Sequence, residues 1–151
     1  MAQRCGRRFL DTDILIELEA GMTIPALFAE RGEPYFRALE HAIVCRVSEG
    51  RNLVVATGGG VMTNEANVQK LKEGGTLVCL TATPEVIFSR VRGTADRPLL
   101  QGENPLAKIR ALLAARAEAY AKADLMIDTS HLSTDDVVEA IHTRLKATAR
   151  L

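Results

Sequence analysis

The stretch Leu53-Val54-Val55-Ala56-Thr57-Gly58-Gly59-Gly60-Val61-Met62 decides what kind of sheet this chain can build. Four small or apolar residues in a row suit a strand buried on both faces, as in a parallel sheet, and the three glycines then leave the strand's carboxyl end bare. Two readings of the glycines stand side by side. One is a tight turn. The other is a ligand edge: glycine tolerates positive φ and lacks a Cβ, so Gly58, Gly59 and Gly60 could present backbone N–H groups where open α/β sheets bind their ligands.

Working outward, further strands are expected at residues 8–11, 76–80 and 125–128, separated by segments with helical patterning. Residues 14–20 carry Ile14, Leu15 and Leu18 as an apolar stripe and stop at Gly21, and Thr23 caps a helix that opens with Ile24-Pro25. Gly32 breaks that helix. Residues 33–49 form the next, with Phe36, Leu39, Ile43, Val44 and Val47 inward. Helices at 65–72, 84–92, 105–122 and 137–146 complete the pattern. Strands alternating with helices predict an α/β fold with parallel strands joined by right-handed crossovers. The 151 residues, without repeat or long linker, read as a single domain, 1–151.

Composition narrows the function. Nineteen basic residues balance nineteen acidic ones, so no net field favours nucleic acid or an anionic membrane, and any anion site must be local. With no Trp, two Tyr and four Phe, stacking on bases has little to work with. No apolar run approaches the roughly 20 residues of a bilayer span, and no secretory segment opens the chain, so a cytoplasmic protein is expected. Cys5, Cys45 and Cys79 are odd in number and lack metal-type spacing, which argues against a disulfide framework or zinc. Exposed sheet edges aside, a monomer is expected.

The polar candidates are few. Strand alternation through Asp11-Thr12-Asp13 would put both carboxylates on one side, able to share a metal or a sugar-like hydroxyl; an N-cap is the alternative. Arg37 lies near a helix start, where the dipole disfavours a cation unless an anion offsets it. A pairing with Glu33 or Glu40 is its ordinary reading. His41 reads as a surface or partly buried helix residue, since no second ligand type stands at a matching spacing. Residues 92–104 are charged, aperiodic and punctuated by Gly and Pro, a loop able to serve as a lid.

Taken together, Asp11-Thr12-Asp13, Gly32-Glu33-x-x-Phe36-Arg37-x-x-Glu40, Thr57-Gly58-Gly59-Gly60, Arg97-Pro98-Leu99-Leu100 and Arg116-x-x-x-Tyr120 resemble shikimate kinase, in order and across most of the chain. The resemblance implies a P-loop NTPase-like fold of the nucleoside-monophosphate-kinase type and transfer of the ATP γ-phosphoryl group to the 3-hydroxyl of shikimate. It implies that Asp13 binds the ring hydroxyls and orients or deprotonates the attacking one. Arg37 and Arg116 would pair with the shikimate carboxylate, and Gly58, Gly59 and Gly60 would offer N–H groups to the same ligand. Asp11 would hold Mg²⁺ through water, Arg97 would come from the lid onto the transferring phosphoryl group, and residues 14–50 would supply the shikimate-binding helices.

One part of the pattern is not found. No Gly-x-x-x-x-Gly-Lys-Ser/Thr occurs in the 151 residues, and residues 1–6 match only the tail of the helix that follows such a loop. On the order of 25 residues of a normal unit are therefore expected to be absent ahead of Met1, through a late start codon, a truncated gene or a fragment. The central first strand would go with them, leaving four strands with a gap between the glycine-bearing strand and residues 76–80. Impaired ATP binding is the expected consequence, and a non-catalytic remnant that binds shikimate or a partner is the alternative function.

Overall fold

The computed structural model describes residues 1–92 and 104–148. They divide into two compact units, Met1–Leu77 and Val78–Arg150. The four strands form two separate two-stranded parallel sheets, one in each unit.

In the first unit a short helix α1 (Ala2–Cys5) ends at Gly6 in the left-handed region, φ 62°, and leads into β1 (Arg8–Asp11). Strand β1 pairs with β2 (Leu53–Ala56), Arg8 beside Leu53 and Asp11 beside Ala56. Both strands therefore finish together, which brings Asp11-Thr12-Asp13 alongside Thr57-Gly58. Every residue of β2 is half-buried.

Helix α2 (Thr12–Ala20) starts directly at the strand's end, and Gly21, at φ 69°, stops it. Helix α3 (Ile24–Ser48) is two helical pieces joined at Gly32, whose φ of 79° and ψ of 170° lie outside the helical region. Thr23 caps the first piece by accepting from the Ala26 N–H. Glu17 on α2 accepts from the Ile24 N–H at 2.8 Å, tying the two helices at their junction. A 3₁₀ turn, Val61–Thr63, follows the glycines, and Asn64 caps α4 (Glu65–Gly74).

The core of this unit is Ile16, Leu27, Phe36, Ile43 and Val47, with Leu10, Leu15, Phe28 and Val55 against it. Burying each such side chain contributes about 1.5–3 kcal/mol before conformational entropy is subtracted. The stripe expected on α2 is rotated. Ile14 is 56% and Leu18 74% exposed, while Ile16 is fully buried. Asp11 caps the helix, so its phase is counted from Thr12, and the i, i+4 pair Thr12 and Ile16 takes the inner face.

The second unit holds β3 (Val78–Thr81) and β4 (Leu125–Asp128), with Val78 beside Leu125 and Thr81 beside Asp128. Strand β3 begins two residues later than its apolar pattern suggested. Helices α5 (Pro84–Val91), α6 (Pro105–Tyr120) and α7 (Thr134–Ala147) follow caps at Thr83, Asn104 and Ser133, the last a reciprocal box with Asp136. Thr129 binds the Thr81 carbonyl through both its N–H and its hydroxyl, and Arg90 donates to the Thr129 hydroxyl at 2.8 Å and to its carbonyl at 2.6 Å. No helix among the described residues is long and apolar enough to cross a membrane.

Candidate functional site

The site builds at the carboxyl ends of β1 and β2, where a parallel pair leaves backbone groups and loop side chains together. Asp11 is the first element. Its Oδ1 accepts from the Asp13 N–H at 2.9 Å and the Ile14 N–H at 3.4 Å, so it caps α2. The strand has already ended at Asp11, so Thr12 and Asp13 lie in the first helical turn and strand alternation does not govern them. Thr12 is fully buried, and its hydroxyl is the one buried side-chain polar atom among the described residues without a hydrogen-bond partner.

The cap aims Asp13 at the glycine turn. A Cβ added to Gly58 would stand 3.2 Å from Asp13 Oδ1, tighter than an ordinary contact. Two residues on, a Cβ on Gly60 would stand 2.7 Å from Arg37 Nη1 and 3.2 Å from Nη2. Positive φ is not the reason for these glycines: Gly60 has φ −74°, and the positive-φ glycines of the described residues are Gly6, Gly21 and Gly32. Gly58 and Gly60 are needed for the space a side chain would fill. Gly59, between them, is exposed.

Arg37 is gripped from its own helix. Its Nη1 donates to Glu40 Oε2 at 2.9 Å, and its Nε and Nη2 donate to Glu33 Oε1, each at 3.2 Å. Glu40 is 2% exposed, whereas the Glu33 side chain lies largely in solvent. The guanidinium carbon sits 5.0 Å from the Phe36 ring centre. Burial works to lower the Arg37 pKa, but the hydrogen bonds and charges of Glu40 and then Glu33 outweigh it and hold the group above its usual value. The result is a permanently charged fork, half-exposed and fixed in direction, suited to a carboxylate or phosphate. Glu33 and Glu40, named in the sequence only as possible ordinary partners, are both engaged, and the spacing i−4 and i+3 about Arg37 was the readable signal.

A further set of contacts carried no such signal. His41 Nδ1 lies 2.6 Å from Asn67 Oδ1, His41 Nε2 lies 3.6 Å from Cys45 Sγ, and the fully buried Asn67 directs Nδ2 to the Val61 carbonyl at 3.5 Å. His41 and Asn67 are 26 residues apart in sequence, so no local spacing betrays them.

Of the other expected site residues, Arg116 lies in the second unit on α6, half-buried, with its Nη1 3.4 Å from the Tyr120 hydroxyl. Arg97 lies outside the described residues, as does most of the 92–104 loop. The first unit thus gathers Asp11, Asp13, Gly58, Gly60 and Arg37 at one turn. Among the described residues no group of three or more His, Cys, Asp or Glu side chains is arranged to hold a metal ion.

Comparison with known proteins gives one answer throughout. The family model for shikimate kinase matches residues 1–146. A shikimate kinase of Thermoanaerobacter pseudethanolicus is 43% identical over 143 residues, covering 95% of this chain and 82% of the relative. One from Desulforudis audaxviator is 48% identical over 147 residues, covering 97% and 77%. Among solved structures, the Acinetobacter baumannii shikimate kinase in complex with shikimate superposes with a TM-score of 0.92 at 36% identity, over 97% of this chain and 83% of that one. The Aquifex aeolicus shikimate kinase gives 0.84 at 32% identity, over 98% and 86%. On the family match, the identities and the shared fold, this chain belongs to the shikimate kinase family.

Proposed function

We propose that this chain binds shikimate at the glycine turn of its first unit and presents the 3-hydroxyl to the γ-phosphoryl group of ATP. The single observation that carries the reading is that a carboxylate, Asp13, and a fixed guanidinium, Arg37, both abut one glycine turn at positions only two residues apart. Two residues of extended chain span about 7 Å at most. A small ring acid with a carboxylate at one edge and hydroxyls at the other matches that spacing, the carboxylate toward Arg37 and the hydroxyls toward Asp13.

In this reading Arg37 donates a pair of charge-assisted hydrogen bonds to the shikimate carboxylate, and a share in that role for Arg116 rests on the Arg116-x-x-x-Tyr120 motif. The bare backbone of Gly58, Gly59 and Gly60 lets the ring lie close to the chain and take its N–H groups. Asp13 accepts the proton of the 3-hydroxyl as its oxygen bonds to phosphorus, and the bond to the ADP leaving oxygen breaks. Phosphoryl transfer asks the protein chiefly for alignment and for positive charge on the moving oxygens. Arg97 would supply such charge, an assignment that rests on the Arg97-Pro98-Leu99-Leu100 motif.

Asp11 commits Oδ1 to the helix cap and keeps its second carboxylate oxygen for another partner. That oxygen is a hard donor of the kind Mg²⁺ prefers, and would hold the ion through water. When bound, the ion would neutralise charge on the phosphates. The helices of residues 14–50 form the shikimate-binding part, and residues 92–104 serve as the lid.

Two measurements on this chain test the proposal. Isothermal titration should show shikimate binding that Arg37→Ala weakens ten- to a hundredfold, and a coupled assay should show ADP released only when shikimate is present. Shikimate binding without ADP release would assign the chain to a non-catalytic shikimate binder. Absence of shikimate binding by the folded chain would overturn the reading.

A further inference from the structure

The hydrogen bonds inside the glycine turn fix its shape. The Val61 N–H donates to the Gly58 carbonyl at 3.1 Å, the Thr63 N–H to the Gly60 carbonyl at 3.0 Å, and the Thr63 hydroxyl to that same carbonyl at 2.7 Å. None of these bonds sets how far the turn stands from α3. Yet that depth decides whether Gly60 closes on the Arg37 guanidinium, where 2.7 Å separates Nη1 from the place a Cβ would occupy.

One buried side chain reaches both sides of that gap. Asn67, in the first turn of α4, is fully buried. Its Nδ2 can only donate and turns to the Val61 carbonyl, so its Oδ1, which can only accept, faces α3. His41 Nδ1 then donates in the 2.6 Å bond, and its Nε2 lies 3.6 Å from the Cys45 Sγ. His41 stands one helical turn beyond Arg37 on α3. Asn67 therefore joins α4, the turn and α3 at a backbone position about 6 Å along the helix axis from that of Arg37. A buried amide with both ends engaged is costly to disturb, because either lost bond leaves a polar group without water.

We infer that Asn67 and His41 are positioning residues for the acceptor site: together they hold the glycine turn at the depth where Gly60 confines Arg37, and so tune affinity for the shikimate carboxylate without touching it. The inference rests on the proposed function above, through the role given there to Arg37.

The test measures shikimate affinity by isothermal titration, with thermal melting as a check on the fold, for the parent chain and for Arg37→Ala, Asn67→Ala, His41→Ala and His41→Gln. Asn67→Ala and His41→Ala should each lower the melting temperature, through the lost buried bonds, and weaken shikimate binding about tenfold as measured on the folded chain. His41→Gln restores an N–H donor toward Asn67 and should bind within about threefold of the parent. That recovery is a result that lost packing alone would not give. If Asn67→Ala does not fold, the contrast between His41→Ala and His41→Gln decides.

Parent-like affinity in the folded Asn67→Ala and His41→Ala chains, or equal weakening by His41→Ala and His41→Gln, would overturn the inference. Failure of the underlying reading looks different: the parent would not bind shikimate, or Arg37→Ala would bind it as the parent does.

Discussion

Two glycine-bearing regions of the first unit exclude a side chain for different reasons. At the end of α4, a Cβ on Gly74 would meet the Ser48 carbonyl oxygen at 2.2 Å and its carbon at 3.0 Å, both backbone atoms of α3. At the turn after β2, a Cβ on Gly60 would meet the tip of the Arg37 side chain, and one on Gly58 the Asp13 carboxylate. Backbone cannot retreat without moving a helix, whereas the end of a long side chain can swing aside. Gly74 therefore serves the fold, and Gly58 and Gly60 serve what Asp13 and Arg37 are aimed at. Equal tightness of packing does not mean equal purpose; the identity of the neighbouring atom separates the two.

Four substitutions would sharpen or break that separation. The largest effect belongs to Gly74→Ala, where α3 and α4 must part; overpacking of this kind costs about 1–3 kcal/mol or more, read as a clear fall in melting temperature with shikimate affinity per folded molecule retained. Gly60→Ala should do the reverse. The guanidinium is pushed off its line, shikimate binding weakens about tenfold, and melting stays near the parent. If it instead lowered the melting point as much as Gly74→Ala, the turn would be structural and the comparison would fail.

A smaller loss is expected for Gly58→Ala, about threefold in shikimate affinity, because 3.2 Å is relieved by a slight rotation of the Asp13 carboxylate. Least of all should follow from Glu33→Gln. Its pairing with Arg37 is solvent-exposed and worth well under 1 kcal/mol, so titration should find less than a threefold change at moderate salt. A tenfold change there would mean that Glu33, and not the buried Glu40, aims the guanidinium.

Much of this was legible in the sequence, and the failures have physical causes. The four strands, the cap at Thr23 and the break at Gly32 follow from local rules of side-chain hydrogen bonding and backbone sterics. Two periodicities meet at Asp11-Thr12-Asp13, and of the two readings open there, strand alternation and a helix N-cap, the N-cap is the one the structure bears out. Once Asp11 caps the helix, Asp13 turns to Gly58 by helical geometry, and Ile14 and Leu18 turn outward with it. The glycine run was readable as a place of close approach, but whether freedom of φ or absence of Cβ mattered depended on Arg37 arriving from another helix. Asn67 and His41 meet only through tertiary packing, which no window of local sequence contains.

The break in α3 carries its own consequence. Gly32 holds φ 79° and ψ 170° with nothing nearer to an added Cβ than Pro34 Cδ at 3.7 Å, so the objection to a larger residue there is one of handedness and not of room. The mirror image of those angles is ordinary extended backbone. A D-alanine installed at position 32 by chemical ligation should sit comfortably where L-alanine would be strained, and by trimming the unfolded chain's freedom it should make the protein harder to melt.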